Sequence, residues 1–427
     1  MIGTVKPEHV KQFNAKFLKE LVGARKIGIE LEFPVVNQRT FRAMDSRPLF
    51  NRLIGLDDGW MPFAGDKDSV GCIKDGVAIT TDSGICTLEM SSPPQANLYL
   101  AKDLVERVLR KIVPELKAMD GLMLGYGIQP LTLANNSLWK TAGRTKAFRI
   151  NFPDSTNNST ITAAAQTHVE ATSEEFIMAA NVFNAMAPLI VAIFANSPVW
   201  KGSFDLLARR TVRESLWKDW NQCGRRTGVL QFFKDTEDYL RYLYSLTFLA
   251  TTDQTGRYFA PSQSFGSWVS QHAKSKQRFM ECVLQQEGFV WSCARPRARY
   301  GTVEIRPACA QPPGSEMIFP AFCLGVMESL KSVSNLVNLY RWKDWNDLYE
   351  KAILKGFDAQ VKGLSLQSVA QEVLSLAYEG LENRYTGEEI LLSDAFTRLY
   401  KCEAPAERVM DWMGRGGIEE VIKRVAY

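Results

Sequence analysis

Four separated segments alternate polar with apolar side chains: IGIELEF at 27–33, CTLEMSS at 86–92, AAQTHVEA at 164–171 and GTVEIRP at 301–307. Successive side chains of a strand point to opposite faces. As strands, these segments send Glu30 and Glu32, Glu89, Gln166 with His168 and Glu170, and Glu304 with Arg306 away from their apolar residues. One such segment is an ordinary solvated sheet face. Several together would gather five carboxylates against Arg306, and carboxylates so gathered repel unless a cation sits among them. Hard divalent ions with oxygen ligands meet that need, and magnesium typically combines a few carboxylates with substrate phosphates. The pattern therefore points to a metal–nucleotide site. Neutralising Glu30, Glu89 or Glu304 is expected to relieve repulsion in the metal-free protein.

Other chemistries find little support. The chain has no G-x-x-x-x-G-K-[ST], LGYGIQP at 124–130 is no dinucleotide fingerprint, and His9, His168 and His272 form no H-E-x-x-H. No G-x-S-x-G elbow is present. A net charge of +4 on 427 residues, without aromatic–basic interleaving, argues against a nucleic-acid partner. Eight cysteines without a C-x-x-C fit a reduced, cytoplasmic protein.

The positioning elements follow from periodicity. Helical spacing of apolar residues runs through 8–22, 95–118, 173–196, 236–249, 314–337, 364–382 and 404–424. Strand-like segments lie at 25–36, 70–82 with a turn at 74–76, 86–91, 122–129, 161–171 and 300–309. The irregular order suits a mainly antiparallel sheet with helices on one face. The apolar stretch 176–200 contains Asn181, Asn184, Pro188 and Asn196, which favours a buried helix over a membrane span. No membrane partner is expected. One α+β domain over 1–427, helical from about 314, is the expected organisation.

IGIELEF, TLEMSSPP, LGYGIQP, AAAQTHVEA, LIVAIFANSPVW, RESLW with RRTGVLQFF, and YGTVEIRPACAQPP, in this order, resemble the glutamate-cysteine ligase family, in its plant-type and bacterial carboxylate-amine ligase branch. The resemblance runs from about residue 25 to about 412. It implies a glutamine-synthetase-like fold whose antiparallel sheet floors a funnel between helices. It also implies joining of the glutamate side-chain carboxylate to the amine of cysteine, through an acyl phosphate, with ATP and Mg2+. Metal ligands would then be Glu30, Glu32, Glu89 and Glu304, with Arg306 alongside Glu30 and Glu304 in catalysis. Gln166, His168, Arg213, Arg226 and Arg299 would bind nucleotide or substrate, Arg299 closing a basic run with Arg295 and Arg297. Arg144 and Arg149 stand where the plant-type enzymes carry a substrate loop. Partners would be these small molecules, with a homodimer left open. The competing readings are a ligase using a different amine, and a non-catalytic descendant that binds a nucleotide or a partner protein.

Overall fold

The computed structural model describes residues 4–64, 70–141, 143–152, 154–217 and 224–427; Cys223 lies outside them. At its centre is a nine-stranded antiparallel sheet. In chain order the strands are β1 (Ile27–Asn37), β2 (Met61–Ala64), β3 (Val70–Lys74), β4 (Val77–Thr81), β5 (Thr87–Ser91), β6 (Gly121–Met123), β7 (Ala164–Glu170), β8 (Ala294–Arg297) and β9 (Thr302–Cys309). Across the sheet they run β8, β9, β7, β1, β5, β4, β3, β2, and β6 pairs with the last residues of β1.

Local chemistry explains several of these elements. Asp75 and Gly76, both at positive φ (51° and 78°), form the two-residue turn that joins β3 to β4. Such a turn matches the twist of the strands it connects, and Asp-Gly suits it. The basic run containing Arg295 and Arg297 contains a strand of its own. Its Pro296 is tolerated because β8 is the sheet edge, where a missing N–H breaks no second ladder. The expected strand at 122–129 contracts to β6, and the first helix ends at Asn14 rather than near residue 22.

Ile27, Ile29, Leu31 and Phe33 of β1, Leu88 and Met90 of β5, and Val303 and Ile305 of β9 are buried in the main hydrophobic core. Helices Phe176–Ala185, Ala187–Phe194 and Ile318–Glu328 pack against this face. The expected helix over 173–196 is the first two of these, bent by 55° at Met186 just before Pro188. Among the described residues no single helix is long and apolar enough to cross a membrane. Asn184, buried in this pair, donates to Ala180 O and Ala294 O at 2.8 Å and accepts from Leu230 N, so the buried amide ties β8 to the core. The region from 318 onward is mostly helical. Its helices Ile318–Glu328 and Leu366–Glu382 touch backbone to backbone: a Cβ on Gly325 would stand 2.2 Å from Ala377 O.

A buried ionic network fastens the sheet to these helices. Arg25, directly before β1, binds Glu175 through two N–H groups at 3.0 and 3.1 Å, donates to Glu170 O at the end of β7, and reaches Glu328 at 3.4 Å. Arg384 completes it by pairing with Glu328 and with Glu388. Removing one member of such a group leaves charge buried without compensation. Arg25→Met is therefore expected to destabilise the fold by about 3 kcal/mol in urea unfolding.

Candidate active site

The strand register assembles the polar face in three rows. Thr80, Glu89 and Glu32 lie side by side across β4, β5 and β1. Ser91, Glu30 and Gln166 do so across β5, β1 and β7. Gly28, His168, Glu304 and Arg295 continue across β1, β7, β9 and β8. The sheet thus brings Glu30, Glu32, Glu89, Gln166, His168 and Glu304 together. Glu170 stands apart at the end of β7, accepting from Lys26 N.

Charge divides this face into two ends. On the β8–β9 side, Glu304 is 1% exposed and both its oxygens are filled. Arg295 binds it in a fork at 2.8 and 3.0 Å, Arg297 donates at 2.9 Å, and Arg306 adds a contact. A carboxylate offers about four acceptor positions, and here four N–H groups occupy them. Burial would raise the Glu304 carboxyl, but Arg295, Arg297 and Arg306 hold it well below the usual range. Arg306 also donates to Gln166 Oε1. It sits in a bulge between Ile305 and Ala308, where Pro307 has no N–H to continue the ladder.

The β5–β1 side is acidic. Glu32 accepts from Ala164 N at 2.7 Å and from Gln166 Nε2, and it faces Glu89 directly across the strands. Burial first, then Asp82, push the Glu32 carboxyl well above its ordinary range. Glu89 is pushed up to about 8 by burial, Glu30 and Asp82. Asp82, just past β4, is a member that alternation does not reveal. Lys140, whose ammonium donates to Thr81 O at 3.0 Å, partly offsets the charge on Glu89.

Between the two ends, His168 Nε2 lies 3.1 Å from Glu30 Oε1 and 3.7 Å from Glu304 Oε2, without alignment for a hydrogen bond to either. Burial acts to raise the Glu30 carboxyl, yet His168 and Arg297 bring it below its ordinary value. The expectation that neutralising Glu30, Glu89 or Glu304 relieves repulsion therefore needs correction. It suits Glu32 and Glu89 and reverses for Glu30 and Glu304, which are already paired.

The remaining arginines divide. Arg213, buried, donates to Glu214, keeps a buried Nε without a partner among the described residues, and with Arg306, Trp217, Trp291 and Cys293 lines a small cavity beside the polar face. Arg226 is fully buried and its guanidinium is bound to Phe289 O and Thr247 O, which makes it a fastening of the surrounding loops rather than a substrate contact. Arg299 is exposed on the turn between β8 and β9, outside the cluster; Arg295 and Arg297 are the members of that run that point inward. Arg144 lies over the Phe289 ring and Arg149 over Trp139, with ring distances of 4.4 and 4.7 Å.

Among the described residues no three His, Cys, Asp or Glu side chains stand close enough together to hold an ion as they are. The donor chemistry nevertheless fits a hard dication. An unaligned buried imidazole nitrogen faces two carboxylates, and two further carboxylates are raised by burial and by neighbouring acids. A cation at Glu304 would take the place of one of its arginine donors.

Behind the arginine clamp, Glu287 accepts from Ala298 N at 2.8 Å while its other oxygen is buried without a partner among the described residues. Burial, incompletely offset by Arg297 and Ala298 N–H, raises its carboxyl to about 8. The fold therefore holds a proton there that the unfolded chain, with an ordinary glutamate, has lost. The stability this confers is complete at acid pH and is lost as pH rises through about 8. Glu287→Gln, which keeps the acceptor, should gain stability over the parent by about 3 kcal/mol between pH 6 and 9, read from parallel denaturation curves.

An antiparallel sheet backed by helices, with carboxylates and arginines converging from separate strands on one face, defines an α+β protein with a charge-divided candidate site. Residues 26–424 match the family described as "Glutamate-cysteine ligase family 2 (GCS2)", and the chain belongs to that family. Glutamate–cysteine ligase A, chloroplastic, of Oryza sativa subsp. indica is 23% identical over 401 residues, covering 90% of this chain and 80% of the rice protein. The glutamate–cysteine ligase of Natronomonas pharaonis is 23% identical over 333 residues, 71% of this chain and 76% of its own. Two crystal structures share the fold. A bifunctional glutathione synthetase from Pasteurella multocida superposes with a TM-score of 0.57 at 14% identity, over 99% of this chain and 53% of that one. A glutamate–cysteine ligase from Francisella tularensis in complex with AMP superposes with a TM-score of 0.52 at 13% identity, over 96% and 89%.

Proposed function

We propose that this protein joins the side-chain carboxylate of glutamate to the amine of cysteine, consuming ATP in the presence of Mg2+ and passing through an acyl phosphate. The observation that carries the reading is the division of one sheet face into an acidic and an arginine-rich end, with His168 between them. Such a face suits a substrate pair whose charges are also divided, a metal–polyphosphate beside a carboxylate. Glu30 and Glu304 with His168 would hold one metal ion, and Glu32, Glu89 and Asp82 a second. Magnesium bound there supplies Lewis acidity and neutralises phosphate charge.

The chain's own residues do the rest. Gln166, held between Arg306 and Glu32, keeps the two ends in fixed relation. Arg297, 17% exposed and with one hydrogen bond to Glu304, is the clamp arginine at the surface of the cluster and the one suited to grip phosphate. Arg306, which reaches both the clamp and the cavity, would stabilise negative charge on the acyl oxygen and the departing phosphate. Arg213 offers the cavity a second guanidinium for a substrate carboxylate.

The test is to incubate the protein with glutamate, ATP and Mg2+ and each of a panel of amines, and to weigh the products. A γ-glutamylcysteine mass with matching ADP is the expected result. ADP release with another amine but not with cysteine would replace cysteine as acceptor; no nucleotide-dependent product with any amine would overturn the ligase reading.

A further inference from the structure

The His168 ring is held on three sides. Tyr300 meets it edge-on, with ring centroids 5.7 Å apart, Nε2 faces Glu30 and Glu304, and Nδ1 lies 3.2 Å from the Thr302 hydroxyl oxygen. Thr302 and Glu304 are two residues apart on β9, so one strand presents both the hydroxyl and a carboxylate to the same imidazole.

A neutral imidazole carries one N–H and one lone pair, and the partner of one nitrogen decides which the other has. With Nε2 turned to a cation, Nδ1 must bear the proton and needs an acceptor. With Nε2–H turned to Glu30, Nδ1 must instead accept. A hydroxyl serves both states, because it rotates between donor and acceptor. Neither a carbonyl nor an amide N–H could.

We infer that Thr302 is a positioning residue that sets the His168 tautomer, accepting from Nδ1–H when Nε2 binds the cation and donating to Nδ1 when it does not. The inference rests on the ligand role proposed above for His168. Partners of this kind typically alter metal affinity by about 10–100-fold.

Thr302→Val keeps the branched shape that suits a strand but removes the hydroxyl. Thr302→Ser restores it, and Thr302→Ala repeats the deletion without the branch. Mn2+ alone is titrated into each protein, with free ion followed by electron paramagnetic resonance. The expected result is about 10–100-fold weaker binding for Val and Ala and wild-type-like binding for Ser. Nitrogen chemical shifts of His168 in the Mg2+-loaded wild type should report the proton on Nδ1. Equal Mn2+ affinity across wild type, Val and Ala would overturn the role of Thr302 alone, whereas a proton on Nε2 in the loaded protein would remove His168 as a ligand and this inference with it. A wild type that binds no Mn2+ would overturn the metal-site reading and this inference with it.

Discussion

Glu30→Gln is expected to lower ADP release in the presence of glutamate and cysteine by about a thousandfold or more. Glu30 stands in the middle row of the face, bordering His168 on one side and the Glu89 charge on the other, so the first proposed metal position depends on it and the second feels its charge. A metal ion contributes several kcal/mol to stabilising charge in phosphoryl and acyl transfer, and about 4 kcal/mol is a factor near a thousand. The fold should survive, because the side chain is 29% exposed and glutamine keeps its shape. Stability should fall slightly, since a carboxylate paired with His168 is lost. Glu89→Gln should behave oppositely in the metal-free protein, gaining stability relative to the parent as pH rises from the ordinary glutamate range to about 8 and keeping that gain above it. Parallel measurement of turnover and of melting with and without Mg2+ checks both. A Glu30→Gln protein retaining full turnover would remove this residue from the site.

Arg306→Lys should reduce kcat by about a hundredfold or more while leaving KM for ATP comparatively unaffected. The guanidinium contacts Glu304 and Gln166 together and lines the cavity, a threefold engagement for which its planar fork is shaped. A lysine ammonium keeps the charge but cannot span those positions. Loss of one preorganised donor to developing negative charge typically costs about 3 kcal/mol of transition-state stabilisation. Steady-state kinetics separate the outcomes: equal loss in kcat and kcat/KM supports the assignment, whereas a rise in KM alone would mark Arg306 as a binding residue.

Much of this site is legible before any coordinates. The two-residue period of β1, β5, β7 and β9 exposes Glu30, Glu32, Glu89, Gln166, His168, Glu304 and Arg306, because strand geometry converts alternation directly into a shared face. Asp82 escapes that logic, since it lies beyond the end of its strand and is carried in by a turn. Arg295 and Arg297 are visible as a basic run, but the strand that carries them is hidden by Pro296, which reads as a loop residue unless the strand is known to be an edge. Arg226 and Arg299 show the reverse failure. Residue type announces a guanidinium, but only packing decides whether it meets backbone carbonyls, water or a substrate. The bend at Met186 is similarly unreadable from an apolar run, although Pro188 marks where it falls.

Glu30, Glu32, Glu89, His168, Glu304 and Arg306 hang from hydrogen-bonded strands, whereas Trp217 ends the short helix that also carries Arg213, and Trp291 belongs to a separate two-residue ribbon. Most of the cavity wall thus comes from outside the sheet, and Arg306 is the strand residue that joins it to the charged face. A designer could recut that wall by exchanging these two indoles for smaller side chains while leaving the strand ladder intact, and screen for altered substrate acceptance.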